Sequence, residues 1–289
     1  MTDDKKIITI GTFDGVHLGH RKVLASLRDA ARKRNCTPLV ITFDRHPLET
    51  IHPERAPQLI MGADRRDELL RGEGMTVIRI EFADVIRRMT AREWLSALQK
   101  EHGAVGVVLG YDNRFGCDGR ELDFEDFRRL GSDIGLEVIV APEVEGCSSS
   151  RIRRAVSDGD MEAAAKMLGR PFSLSGRVGK GRQIGRTIGF PTANIDVDGR
   201  MLLPAPGVYA AEAETEGKTY GAVVNVGFSP TVSGENRIRV EAHLIGFEGN
   251  LYGKDVKVNF VRRIRDERKF PSLEALRSQI ERDLLAVSE

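Results

Sequence analysis

Ile7-Ile8-Thr9-Ile10-Gly11-Thr12-Phe13-Asp14-Gly15-Val16-His17-Leu18-Gly19-His20 is the stretch that decides the fold. Its first four residues form an apolar run of the buried-strand type. Beyond it, Val23, Leu24, Leu27, Ala30 and Ala31 recur at the spacing of one helix face. A glycine-rich loop therefore joins a strand to a helix, and His17 and His20 stand at the helix start. Backbone N–H groups and the positive helix end make such a turn an anion site. Imidazoles placed there can donate to phosphoryl oxygens as charge builds up on them. Gly19 is read as leaving room for a phosphate or a base. The pattern predicts phosphate handling, and adenylyl transfer from ATP in particular.

Strand and helix signals keep alternating through the first half. Pro38–Phe43, Val77–Phe82, Val105–Leu109 and Leu136–Ala141 read as strands, and Ala91–His102 reads as a helix with Trp94, Leu95 and Leu98 on one face. This alternation predicts a parallel sheet covered by helices, a Rossmann-like α/β domain. Ligands of such sheets bind beyond the carboxyl ends of the strands. The loops Gly11–His20, Asp44–Pro47 and Gly110–Gly116 emerge there.

Near residue 169 the pattern changes. Gly207–Glu214, Tyr220–Val226, Ile238–Ile245 and Val256–Val261 follow one another as strand candidates without intervening helices. Several alternate apolar and polar residues, as an antiparallel sheet with one wet face does. A last helix is expected from a Ser272 N-cap to about Ala286. The second part reads as a small antiparallel β-barrel closed by that helix. The expected domains are 1–168 and 169–289.

Composition narrows the partners. The 289 residues carry a net charge of +1, so no global basic field argues for nucleic acid. No apolar run approaches the roughly 20 residues that span a bilayer. Cys36, Cys117 and Cys147 are odd in number and lack metal-type spacing, which fits a reducing compartment. A cytoplasmic enzyme of small molecules is expected, with no nucleic acid or membrane partner and at most a transient homo-oligomer.

Further constellations carry chemistry. Ser148-Ser149-Ser150-Arg151-Ile152-Arg153 offers hydroxyls, N–H groups and fixed charge to a triphosphate; the same run also reads as plain helix capping. The loops Gly110–Gly116 and Asp44–Pro47 read either as ordinary turns or as holders of a planar ring. Five glycines and several cations between Gly176 and Gly189 can wrap polyphosphate, although no helix follows as in a P-loop. Thr192 and Asn194 alternate on a strand and present oxygen ligands suited to Mg²⁺. Glu241 lies in the alternating run Val240-Glu241-Ala242-His243-Leu244, where it either is solvated or takes a proton from a substrate hydroxyl.

Together these segments resemble the prokaryotic bifunctional riboflavin kinase/FMN adenylyltransferase (FAD synthetase) family over nearly the whole chain. The resemblance rests on Gly11–His20, Gly110–Gly116, Ser148–Arg153, Leu168–Pro171, Gly189–Asn194, Pro206–Tyr209, Leu251–Gly253 and Arg265–Phe270. It implies a nucleotidyltransferase-like first domain and a six-stranded barrel as the second. It implies ATP-dependent phosphorylation of riboflavin to FMN, then adenylylation of FMN to FAD with release of pyrophosphate, with Mg²⁺ as cofactor. For adenylyl transfer it assigns ATP to Gly11, Phe13, Asp14, His17, His20, Ser149, Ser150 and Arg153. It assigns the flavin of that step to His46, Asp112 and Asn113. For the kinase it assigns ATP to Gly176, Lys180, Gly181, Gly185, Thr187, Gly189, Thr192 and Asn194, the last two also holding the metal. Glu241 becomes the base toward the ribityl hydroxyl, and Arg268 and Phe270 join it around the flavin. The chain departs from the family pattern at Arg45, Ile60, Asn113 and Ser150. The first three lie in segments the family associates with flavin, which implies a weaker or re-tuned FMN adenylylation. The alternative reading is a riboflavin kinase whose first domain binds nucleotide or flavin with little or no activity.

Overall fold

The computed structural model describes residues 5–82, 84–111, 113–179, 185, 188–230 and 236–287. The chain divides into two compact units: Met1–Pro57 with Gly62–Ser148, and Gln58–Met61 with Ser149–Glu289.

The first unit holds strands β1 (Lys6–Ile10), β2 (Thr37–Phe43), β3 (Thr76–Ile80), β4 (Ala104–Leu109) and β5 (Glu137–Val140). They form one parallel sheet in the order β3-β2-β1-β4-β5. Around it lie α1 (Leu18–Lys33), α2 (Pro47–Ile51), α3 (Ala63–Gly72), α4 (Asp84–Arg88), α5 (Ala91–His102) and α6 (Phe124–Asp133). Local chemistry sets their ends. Thr90 and Glu93 form a capping box at the start of α5, and Gly103 closes it with φ 67°. Trp94, Leu95 and Leu98 pack with Ile8, Leu39 and Val107 in the core, as the one-faced pattern requires. Chain order reverses between β1 and β4. A parallel sheet opens a crevice at such a switch point, beyond the carboxyl ends of the strands.

The second unit begins with α7 (Ser149–Asp158) and α8 (Met161–Leu168), followed by β6 (Phe172–Gly179), β7 (Ala193–Asp196), β8 (Gly207–Thr215), β9 (Lys218–Pro230), β10 (Asn236–Leu244) and β11 (Asp255–Arg265). The six strands close a barrel in the order β10-β7-β6-β11-β8-β9, every pairing antiparallel. Phe172, Tyr209 and Phe260 fill it, with Tyr209 and Phe260 edge to face at 5.4 Å. The final helix, α9 (Leu273–Leu285), starts at Ser272, whose hydroxyl accepts from the Ala275 N–H. The buried Asp283 holds it to the end of β11 by accepting a forked bond from Arg265 at 2.7–3.1 Å.

The compact division falls before α7. Gly169 is the left-handed cap of α8, so the change from helices to strands in the sequence is real. Yet Ile152, Val156, Met161, Ala164 and Leu168 share one core with the barrel. The segment Gln58–Met61 joins the same unit: the Leu59 N–H donates to Arg200 O at 2.9 Å, and the Leu59 carbonyl accepts from the Leu202 N–H at 2.8 Å. Ile60, read above as lying in a flavin-associated segment, is instead 2% exposed in that core.

Candidate active sites

In the first unit the chain leaves β1 at Ile10 and turns through Gly11–His17 into α1. The Gly11 N–H donates to Ile41 O at 3.1 Å, and the Val16 N–H donates to Phe13 O at 2.9 Å. Phe13 and Val16 hold φ of 47° and 36°. Such backbone is costly for a bulky residue, and more so for a β-branched one; it persists where the surroundings over-determine it. His17, Asp14 and Phe13 are all buried here. His17 caps α1, its Nδ1 accepting from the His20 N–H at 3.3 Å. That bond makes Nδ1 an acceptor, which in the neutral imidazole puts the ring proton on Nε2. The two imidazoles stack with centroids 3.6 Å apart, and Phe13 meets His20 edge-on at 5.2 Å. Cys147 Sγ lies 3.5 Å from His17 Nδ1. A Cβ on Gly19 would come within 3.1 Å of the His17 ring. A side chain at Gly19 would therefore press on the His17 ring.

Two more loops meet this one at the carboxyl ends. Asn113 Nδ2 donates to Ile10 O at 2.7 Å, across the switch point between β1 and β4. Its amide thus holds the end of the central strand, a use that a planar-ring reading did not foresee. Asp112 lies outside the described residues. His46 caps the short α2, its Nδ1 accepting from the Leu48 N–H at 3.2 Å while Glu49 Oε1 accepts from the His46 N–H at 3.1 Å. Ser149 and Ser150 open α7 in the second unit, where Arg153 Nε donates to Gln58 O at 2.8 Å.

The barrel carries its polar groups differently. Asn194 on β7 pairs in register with Glu241 on β10, and Glu241 pairs with Asn225 on β9. Opposite residues of an antiparallel pair project to the same face, with Cβ atoms about 5 Å apart. The alternate residues Ala193, Ile195, Val240, Ala242, Val224 and Val226 fill the core, so Asn194, Glu241 and Asn225 form a half-buried row on the outer face. Asn194 Oδ1 is buried and makes no hydrogen bond among the described residues. Asn225 Nδ2 reaches Glu267 Oε1 at 3.5 Å, and that carboxylate lies over Gly227, where a Cβ would come within 2.1 Å of it.

Thr192 precedes β7 and lines a recess with Val178, Pro191, Phe247, Leu251 and Tyr252. Gly176 is demanded by close approach, since a Cβ would sit 2.2 Å from Asp196 O. Gly185 O accepts from the Phe190 N–H at 2.8 Å, and Gly189 turns with φ 88°. Lys180, Gly181 and Thr187 lie outside the described residues. The Phe270 ring faces two guanidiniums, Arg268 at 5.0 Å and Arg265 at 5.6 Å. Arg268 also donates to Gln279 Oε1 on α9. Asn225 and Glu267 escaped the sequence reading. The available signal was Asn225 itself, a polar residue interrupting the apolar run Ala222–Val226.

One chain thus joins a parallel sheet, whose first strand turns into a helix capped by His17, to a barrel on which Glu241 stands opposite an Asn194 oxygen that makes no hydrogen bond among the described residues. The FAD synthetase family profile matches residues 1–154 and the riboflavin kinase profile matches residues 168–289. The bifunctional riboflavin kinase/FMN adenylyltransferase of Escherichia coli K12 is 38% identical over 290 residues, covering 98% of this chain and 92% of that protein. The one from Pseudomonas fluorescens is 36% identical, covering 97% and 91%. A crystal structure described as a macrolide-efflux protein from Streptococcus pneumoniae superposes with a TM-score of 0.90 at 33% identity, covering 99% of this chain and 94% of that one. The chain belongs to the bifunctional riboflavin kinase/FMN adenylyltransferase family. It phosphorylates riboflavin to FMN and transfers AMP from ATP to FMN to give FAD. ATP, riboflavin and FMN are its substrates. Among the described residues no helix is long and apolar enough to cross a membrane.

Proposed function

We propose that the two reactions run on the two sites described, with residues 1–168 serving adenylyl transfer and 169–289 the kinase. The observation that carries the kinase site is the row Asn194–Glu241–Asn225, whose buried Asn194 oxygen makes no hydrogen bond among the described residues. A hard cation seeks such oxygen donors. The donor set therefore fits Mg²⁺, which Asn194 and Thr192 would hold. When bound, the ion neutralises charge on the transferring phosphoryl group. Glu241 accepts the proton of the ribityl hydroxyl as that oxygen attacks the γ-phosphoryl group and ADP leaves. Arg268 and Phe270 hold the flavin, and Gly176, Lys180, Gly181, Gly185, Thr187 and Gly189 follow the polyphosphate.

In adenylyl transfer an FMN phosphate oxygen attacks the α-phosphorus of ATP, and pyrophosphate leaves. The His17 Nε2–H, the His20 ring and the amides opening α1 lie where negative charge develops. Gly11, Phe13 and Asp14 shape the loop; the family resemblance assigns Ser149, Ser150 and Arg153 to ATP and His46, Asp112 and Asn113 to FMN. No covalent enzyme intermediate is needed; positioning and charge stabilisation supply the rate. The chain works in the cytoplasm on small molecules alone, without nucleic acid, as a monomer or a transient homo-oligomer.

The test is Asn194→Ala. FMN formation from riboflavin and Mg–ATP should be abolished, while FAD formation from supplied FMN survives. Equal loss of both activities would refute separate sites.

A further inference from the structure

Arg66 is a charged side chain that the assignments above leave without a task. It sits on α3 and is only 8% exposed. Its guanidinium donates in three directions: Nη2 to Phe43 O at 2.9 Å, Nη1 to Thr12 O at 3.3 Å, and Nε to Asp67 Oδ1 at 3.2 Å. Phe43 ends β2 and leads into Asp44–Pro47. Thr12 lies inside the Gly11–His20 loop, next to Phe13 with its positive φ. One planar fork thus joins the two loops that leave β1 and β2 at their carboxyl ends. Arg79 steadies the anchor by holding Asp67 Oδ2 at 2.7 Å and reaching Asp64 at 2.9 Å and Asp44 at 3.8 Å. Burial pushes the Arg66 pKa down and Asp67 pulls it back, so the cation is compensated in place.

We propose that Arg66 is a positioning residue for adenylyl transfer: it acts through the Thr12 and Phe43 carbonyls to hold the strained His17/His20 loop and the loop carrying His46 in one fixed arrangement. The inference rests on reading Gly11–His20 as the ATP loop. Backbone strain of this kind survives only under outside constraint, and Arg66 supplies it from a neighbouring helix. A lysine carries the charge without the planar fork that fixes the two carbonyls relative to each other.

The test compares Arg66→Lys with His20→Ala in the full chain. FAD formation from FMN and ATP is read as kcat and KM, riboflavin phosphorylation serves as the internal control, and amide hydrogen exchange follows residues 11–17 and 43–47. The single tryptophan, Trp94, is buried in this unit and reports whether it folds. For Arg66→Lys we expect native Trp94 emission and kcat for FAD formation lower by about 10–100-fold, the scale of misplacing a reacting group by about an ångström. Exchange should quicken in both loops and not in β1 or α1, and riboflavin phosphorylation should be unchanged. Native emission with FAD formation within threefold of the parent, or exchange that quickens in neither loop, overturns the proposal. Should Arg66→Lys lose the native emission, Asp67→Asn replaces it. It loosens the anchor and leaves the fork, so a smaller fall in kcat with the same loop exchange supports the proposal, and unchanged kcat overturns it. If His20→Ala leaves FAD formation intact, the ATP-loop reading itself fails and takes this inference with it; if His20→Ala is crippled and the Arg66 and Asp67 variants are not, only the inference fails.

Discussion

The sheet unit and the barrel unit place their candidate site residues by opposite means. In the first, His17, His20, His46 and Asn113 stand on loops or helix starts beyond the strand ends. Their positions depend on side chains that grip backbone carbonyls, such as Asn113 on Ile10 and Arg66 on Thr12 and Phe43. In the second, Asn194, Glu241 and Asn225 stand on the strands themselves, and the hydrogen-bond ladder sets their spacing. A site built on a ladder inherits its rigidity from the fold. A site built on loops needs dedicated supports, and those supports become as sensitive as the reacting groups.

The sharpest way to break this contrast is Glu241→Gln. The variant keeps the shape and removes the basicity, so riboflavin phosphorylation should fall by about 10²–10⁴-fold, the contribution of a positioned base. FAD formation from supplied FMN, followed chromatographically, should be unaffected. A change below about threefold would leave Glu241 a solvated strand residue.

Next in size is His20→Ala, expected to lower FAD formation by roughly 10²–10³-fold, as for one lost preorganised donor. Initial rates at saturating ATP and FMN measure it, with the kinase reaction unchanged. Loss of both activities together would erase the distinction between the two sites.

Gly19→Ala probes how tightly the loop is packed. The new Cβ would press on the His17 ring at 3.1 Å, so the imidazole must shift. A displaced group of this kind costs up to about 10²-fold in rate. The loss should therefore fall below that of His20→Ala and appear only in FAD formation. The corresponding change on the barrel face, Asn225→Ala, keeps the ladder and should leave the Asn194–Glu241 register intact, so its effect on phosphorylation should be smaller.

The smallest effect is expected at Asn113. Asn113→Ala removes a neutral hydrogen bond to Ile10 O and should cost about 1 kcal/mol of stability, read from Trp94-monitored denaturation. The family that this chain resembles usually carries an aromatic residue here, which suggests at first that Asn113→Phe would tighten FMN by restoring a stacking face. The bond to Ile10 reverses that expectation: phenylalanine leaves the carbonyl without its donor, so FMN affinity should fall. An FMN titration of the FAD formation rate decides between the two.

The order of strands and helices, the one-sided helices, the Ser272 cap and the change of architecture near Gly169 were all written in local pattern, because periodicity and caps depend on neighbours in sequence. The His-x-Gly-His loop and the Thr–Asn pair were legible for the same reason: each is a short run whose residue types suit one chemistry. What the chain does followed from those motifs and the family they define. Only the tertiary structure decided that α7, α8 and Ile60 pack with the barrel, since burial against a distant strand leaves no local signature. It alone set Glu241 opposite Asn194 and Asn225, because antiparallel register joins residues far apart in the chain. It also showed that Gly19 lies against the His17 ring, that Asn113 holds the end of β1, and that Arg66 grips two loops. Those are contacts between side chains and remote backbone carbonyls, and a carbonyl is present at every residue, so no sequence pattern marks which one is held.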